Sequence, residues 1–102
     1  MTELKEKSKS IEEVHFEKRY KVIMYNDDIT PFDYVVAILM TVFSFDEEKA
    51  KATALKIHNT GSGVVEVTDC QTAETHIAIV DRINAETNHY LQTEIELDSI
   101  GG

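Results

Sequence analysis

Residues 20–43 read YKVIMYNDDITPFDYVVAILMTVF, and this stretch decides the fold because it passes from a strand directly into a helix. Aromatic and β-branched side chains predict the strand over residues 20–25, with Tyr20, Val22 and Met24 on one face and Lys21 on the other. Thr30 supplies an N-cap acceptor and Pro31 suits the first helical position, so we expect a helix to begin there. Apolar side chains at spacings of three, four and seven extend this helix to about residue 43.

A second helix and a second strand follow. Ser44 or Asp46 can cap a helix over residues 46–58, and Asn59 or Gly61 can end it. The turn after Gly61 leads into an apolar run at residues 64–67, which predicts a short strand.

A third helix and a third strand complete the chain. Residues 71–84 carry apolar side chains at helical spacing, whereas residues 91–97 alternate strictly between apolar and polar types. One face of this last strand carries Leu91, Thr93, Ile95 and Leu97. The order βααβαβ, with three short strands and three helices able to cover one sheet face, predicts an α+β two-layer sandwich.

Length and composition limit the function classes. A chain of 102 residues with 42% hydrophobic residues forms one packed domain. Its net charge of -9 makes nucleic acid and membrane surfaces poor partners. The single cysteine, Cys70, permits no intrachain disulfide, and no apolar run is long enough for a signal or a membrane span, so we expect a cytoplasmic protein.

The chain divides into three parts by composition. Residues 1–17 are rich in Lys, Glu and Ser and predict a flexible N-terminal extension. Residues 18–98 form the folded core, and residues 99–102 are a C-terminal tail.

No catalytic pattern is found in the sequence. It has no Gly-x-Ser-x-Gly elbow, Gly61-Ser62-Gly63 is too short for a phosphate loop, and the four histidines form no H-x-x-x-H pair. We therefore predict a protein that is not an enzyme and holds no metal or cofactor.

The segment Asn26-Asp27-Asp28-Ile29-Thr30-Pro31 has two interpretations. Asn and Asp favour turns and Thr-Pro begins helices, so the segment can be a connection only. Alternatively, it binds a cation: an α-amino group has three donors, and Asn26, Asp27, Asp28 and His58 supply amide, carboxylate and imidazole acceptors. Ala54 and Ile57 share a helix face with His58 and would give such a pocket an apolar floor.

The runs YKVIMYNDDITPFDYVV, KIHNTGSGVVEV and NHYLQTE resemble the ClpS family of N-degron adaptors, with gap lengths preserved from residue 20 to about 96. The resemblance implies three helices on a three-stranded antiparallel sheet. It also implies an adaptor that binds proteins with N-terminal Leu, Phe, Tyr or Trp. The adaptor would deliver these substrate proteins to a Clp-family AAA+ ATPase, ClpA-like or ClpC-like, for degradation. The extension over residues 1–17 would engage that ATPase. A general protein-interaction domain without an amine pocket is the alternative.

Carried over by position, the resemblance assigns the α-amino group to Asn26, Asp27, Asp28 and His58. It assigns the first side chain to a pocket formed by Thr30, Phe32, Val35, Ala54, Ile57 and Leu91. Phe32 and Ala54 stand where Met is usual in the family, and Gln71 and His76 replace charged residues of an ATPase-contacting face.

Overall fold

The computed structural model describes residues 18–98, so the predictions for residues 1–17 and 99–102 lie outside the described part. The elements are β1 (Arg19–Tyr25), α1 (Phe32–Thr41), α2 (Glu47–Thr60), β2 (Ser62–Thr68), α3 (Cys70–Thr87) and β3 (Thr93–Asp98). The predicted order βααβαβ and the α+β class are confirmed.

The sheet has the order β2-β1-β3, and both pairings are antiparallel. Val22 and Met24 of the central strand are fully buried, which confirms the predicted face for these two residues, whereas Tyr20 is only partly buried. The register between β1 and β2 shifts after Val22, so that Glu66 and Val64 lie opposite Val22 and Ile23. Val65 is the extra residue of this bulge, and it is buried in the core.

α2 and α3 pack on the sheet, and α1 packs on α2. α3 contacts all three strands, and α2 contacts β2. Gly63 permits the approach of α2 to β2, because a Cβ at this position would lie 3.0 Å from a side-chain carbon of Ile57. No helix among residues 18–98 is both long and apolar enough to cross a membrane.

The predicted N-cap of α1 at Thr30 is wrong, and the helix begins one residue later than predicted. Pro31 is the N-cap and makes no side-chain cap bond, and Phe32 is the first helical residue. The Thr30 hydroxyl donates instead to Asp27 Oδ2 at 2.7 Å, which leaves it turned toward the loop and away from the helix.

The other helix starts follow the capping signals. Asp46, one of the two predicted caps of α2, accepts from the Lys49 N–H, and Gly61 ends this helix in the left-handed conformation at φ 95°. α3 begins after the cap Asp69 and continues to Thr87, three residues beyond the predicted end.

The predicted start of β3 at Leu91 is also wrong, since the strand begins at Thr93. The Leu91 carbonyl accepts from Asn84 Nδ2 at 2.9 Å, and the register between β1 and β3 runs only from Thr93 to Asp98. Leu91 and Leu97 were predicted to lie on the same apolar face. Leu91 is buried in the core, whereas Leu97, at the other end of β3, is half exposed.

Candidate functional site

The loop of residues 26–31 lies between two other segments at the end of the central strand. On the β2 side, the Asn26 N–H donates to the carbonyl of Gly61, the residue that ends α2, at 2.9 Å. On the β3 side, the Tyr25 N–H donates to the Gln92 carbonyl at 3.0 Å. The loop is thus held between the C-terminus of α2 and the connection from α3 to β3.

Asp27 organises this loop through its carboxylate. Oδ1 accepts from the N–H groups of Ile29 and Thr30, and Oδ2 accepts from the Thr30 hydroxyl. A carboxylate has about four acceptor positions, so Oδ2 retains capacity for one further donor.

These bonds also keep Asp27 ionised. Partial burial, the largest single influence, raises the pKa of Asp27. The bonds from the Thr30 hydroxyl, the Thr30 N–H and the Ile29 N–H act the other way and together hold the pKa of this carboxyl below its ordinary value. Asp27 therefore offers a fixed negative charge at neutral pH.

A cleft of about 440 Å³ opens on the β3 side of the loop. It is lined by Tyr25, Asn26, Asp27, Ile29, Thr30, Asn88, His89, Tyr90 and Gln92. Its size lies within the range of about 300–1,000 Å³ that is usual for ligand sites. Aromatic and aliphatic side chains thus share the cleft with the carboxylate of Asp27.

Of the residues predicted to bind an amine, the structure places two in this cleft, Asn26 and Asp27. Asp28 is exposed on the same loop, next to Asp27. His58 is exposed in the last turn of α2, three residues before Gly61, and so lies at the helix end to which Asn26 is bonded.

Most residues of the predicted side-chain pocket are buried in the hydrophobic core. Thr30 lines the cleft, and Phe32 is 42% exposed at the start of α1. The four aliphatic members are at most 8% exposed and belong to one continuous cluster of buried side chains: Val35, Ala54, Ile57 and Leu91.

Six of the residues that line the cleft were missed by the sequence reasoning. They are Tyr25, Ile29, Asn88, His89, Tyr90 and Gln92. The run Asn88-His89-Tyr90 was a usable signal, because polar and aromatic residues accumulate there just before a predicted strand. Because α3 was predicted to end near residue 84, this run was not recognised as the segment that directly follows the helix, which ends at Thr87.

The α3–β3 connection is held by a polar network under the cleft. Asn84, which is buried, accepts from the Tyr34 hydroxyl at 2.7 Å and donates to the Leu91 carbonyl at 2.9 Å. The ring of His89 stacks on that of Tyr34 with centroids 3.9 Å apart, and His89 Nδ1 lies 2.9 Å from the Thr87 hydroxyl. These bonds fix the wall that faces Asp27.

Two other positions singled out from the sequence lie on α3. Gln71 is exposed, whereas His76 Nδ1 lies 2.8 Å from Glu66 Oε1 and its ring contacts Phe43 edge-on. His76 is therefore engaged within the fold. Across residues 18–98, no group of three or more His, Cys, Asp or Glu side chains is placed to hold a metal ion.

The comparisons with known proteins agree with one another. The profile of the family described as "ATP-dependent Clp protease adaptor protein ClpS" matches residues 15–94. The ClpS adapter of Hydrogenovibrio crunogenus is 41% identical over 80 residues, which cover 78% of this chain and 77% of the relative. The ClpS adapter of Cronobacter sakazakii is 38% identical over 77 residues, covering 76% and 73%.

A solved structure gives the same result. Agrobacterium tumefaciens ClpS2 bound to L-phenylalaninamide superposes with a TM-score of 0.76 at 32% identity, covering 79% of this chain and 98% of that chain.

Proposed function

The chain belongs to the ClpS family of Clp protease adaptor proteins, and on this premise we propose that it binds proteins through a free α-amino group and a bulky N-terminal residue, Leu, Phe, Tyr or Trp. It acts by binding alone and performs no chemical step. The Asp27 carboxylate carries this proposal, because it is held ionised beside a cleft and retains room for a donor.

The amine site consists of Asn26, Asp27, Asp28 and His58. An ammonium group has three donors, and it is held best by fixed acceptors of different types. Asp27 Oδ2 supplies one acceptor, and the Asn26 amide oxygen and the His58 imidazole supply the others. The bond from Asn26 to Gly61 supports this grouping, because it brings the loop to the last turn of α2.

The first side chain enters a pocket formed by Thr30, Phe32, Val35, Ala54, Ile57 and Leu91. Phe32, which is 42% exposed, is the accessible member of this set, and the first side chain would reach the four aliphatic residues, now buried in the core, by displacing it. Burying a large apolar side chain there contributes about 1.5–3 kcal/mol.

The ligand of the Agrobacterium tumefaciens ClpS2 structure supports both halves of the site. L-Phenylalaninamide has a free α-amino group and an aromatic side chain, and its amide replaces the carboxylate that a free amino acid would carry. It therefore has the chemistry of a protein N-terminus.

Two fluorescent peptides that differ only in acetylation of an N-terminal Phe test the proposal. We expect the free peptide to bind with micromolar or tighter affinity and the acetylated peptide to bind at least about tenfold more weakly, since it lacks the charge-assisted bonds. Equal affinities would contradict the amine site and favour a general protein-interaction domain. A change in the peptide itself would show an enzyme.

The bound protein is then delivered to a Clp-type AAA+ ATPase, ClpA-like or ClpC-like. A reporter with N-terminal Phe tests this step with each ATPase and its protease. We expect the chain to accelerate degradation of the Phe reporter with one of the two ATPases and to leave a Met-initiated reporter unaffected. No acceleration with either ATPase would contradict delivery while leaving peptide binding untouched.

A further inference from the structure

Asn26 and Asp27 separate two regions of the surface. The end of α2, with His58, lies on the β2 side of Asn26, and the cleft lies on the β3 side. The proposed pocket for the first residue draws most of its floor from α1 and α2, through Val35, Ala54 and Ile57. Within residues 18–98 the cleft shares with that site only Asn26, Asp27 and Thr30.

A bound peptide needs a place for its second residue. In an extended peptide successive side chains point in opposite directions, and successive Cα atoms are 3.8 Å apart. The second side chain therefore does not share the pocket of the first residue, and the cleft is the adjoining recess, because Asn26 and Asp27 line it.

We propose that this cleft is a subsite that selects large apolar or aromatic side chains at the second residue of the bound protein. The inference rests on the proposed function, because the amine fixes where the peptide begins. The cleft continues directly from the amine site through Asp27, so that a peptide anchored there passes into it.

The walls of the cleft have the chemistry that such a side chain requires. Ile29 on one side is 85% exposed and Tyr90 on the other is 77% exposed, so both have large apolar surface to cover. The ring of Tyr25 adds a third apolar wall, and its hydroxyl is held by Glu94 Oε1 at 2.7 Å. An aromatic residue between these walls gains both apolar contact and ring stacking.

The subsite is also prearranged. The Tyr90 wall is fixed from below by the bond from Asn84 to Leu91 and by the stack of His89 on Tyr34. The Ile29 wall is fixed by its N–H bond to Asp27 Oδ1 at 2.8 Å. The backbone of both walls is therefore fixed before a side chain enters, and ordering entropy is lost mainly by the exposed side chains of Ile29 and Tyr90.

Three peptides with the same remainder test the subsite: Phe-Tyr, Phe-Ala and N-acetyl-Phe-Tyr. For the wild type we expect the Phe-Tyr peptide to bind about three- to tenfold more tightly than the Phe-Ala peptide, from the apolar area covered. In Ile29→Ala and in Tyr90→Ala this ratio should fall toward one. Val64→Ala and Leu97→Ala, which truncate exposed aliphatic residues on β2 and β3, should keep the wild-type ratio.

Each outcome distinguishes the subsite from the amine site. A wild-type ratio near one, with weak binding of the acetylated peptide, would overturn the subsite and leave the proposed function intact. Tight binding of the acetylated peptide would contradict the amine site. If Ile29→Ala and Tyr90→Ala weakened both free peptides equally and kept the ratio, the cleft would hold the first residue, and the inference would be wrong.

Discussion

Two segments of this chain share the pattern Asp-x-x-Thr but have different structures. In residues 69–72, Asp69 Oδ1 accepts from the Thr72 N–H and Oδ2 from the Thr72 hydroxyl, and α3 begins there. In residues 27–30, Asp27 makes the same two bonds to Thr30, yet no helix begins at this point.

The residue after the pattern accounts for the difference. The Ala73 N–H donates to the Asp69 carbonyl at 3.1 Å, which is the first backbone bond of the α3 helix. Pro31 occupies the equivalent position after Thr30 and has no N–H to donate to Asp27. Proline also disfavours the helical conformation of the residue before it. The same cap therefore starts a helix in one place and, in the other, leaves a loop that presents Asp27, Ile29 and Thr30 to the cleft.

The largest effect is expected from Ala73→Pro, which places proline in α3 at the position equivalent to Pro31 in the loop. It removes the first helical bond and crowds the Asp69 carbonyl, so we expect it to destabilise the protein by about 3 kcal/mol or more. Cys70→Pro is the matched control, because proline is favoured at the first helical position. The residue before it, Asp69, already has an extended backbone with ψ 164°, which is the conformation that a following proline favours. Urea denaturation measures both. Equal losses would show that the position of the proline does not matter.

Removing the two carboxylates separates their roles. Asp27→Ala should weaken binding of a Phe-initiated peptide by about ten- to a hundredfold, since bonds to charged groups contribute about 1.5–3 kcal/mol. Asp69→Ala should leave peptide affinity unchanged but destabilise the protein by about 1 kcal/mol through the lost N-cap. Fluorescence anisotropy and urea denaturation give the two readouts. Undiminished peptide binding by Asp27→Ala would remove Asp27 from the amine site.

A smaller effect is expected from Pro31→Ala. This substitution gives residue 31 a backbone N–H, as Ala73 has at the start of α3. We expect residue 31 to bond to the Asp27 carbonyl and residues 28–31 to move toward helical geometry, with helical Cα chemical shifts in NMR spectra. The displaced wall at Ile29 should weaken peptide binding by about fivefold. If the shifts of residues 28–31 did not change, tertiary contacts and not proline would hold the loop open.

The smallest effect concerns acid stability. Hydrogen bonds, from the Thr72 N–H first and its hydroxyl next, lower the pKa of Asp69, and the pKa of Asp27 is lowered by its own bonds against the effect of burial. A lowered folded pKa contributes stability above the unfolded value of about 3.9, and this stability is lost as the pH falls toward the folded value.

The measurement is urea denaturation between pH 5 and pH 3. Asp27→Asn and Asp69→Asn keep the side-chain shape and remove the titration, so each should lose less stability than the wild type over this interval. If both variants lost as much stability as the wild type between pH 5 and pH 3, carboxyl groups other than Asp27 and Asp69 would be responsible for the loss.

Much of this fold could be predicted from local patterns. The element order, the cap at Asp46, the stop at Gly61 and the inward face of β1 depend on residues within a few positions of one another, and the structure confirms each of them. Asn26 and Asp27 were predicted as site residues from adjacent amide and carboxylate side chains in a connection, and both line the cleft, but their role in binding stays a prediction. The errors at Thr30 and Leu91 arose where side-chain bonds took the place of the expected backbone pattern: the Thr30 hydroxyl donates to Asp27, and the Leu91 carbonyl accepts from the Asn84 amide.

Only the tertiary structure decided how these pieces meet. The bonds from Asn26 to Gly61 and from Tyr25 to Gln92 join residues far apart in the chain, and they place Asp27 between the end of α2 and the α3–β3 connection. The partner of the Leu91 carbonyl, the stack of His89 on Tyr34 and the cleft that includes Tyr90 depend on the same packing. Local spacing specifies which face of an element is apolar, but contacts between distant segments exist only once the core has closed around them.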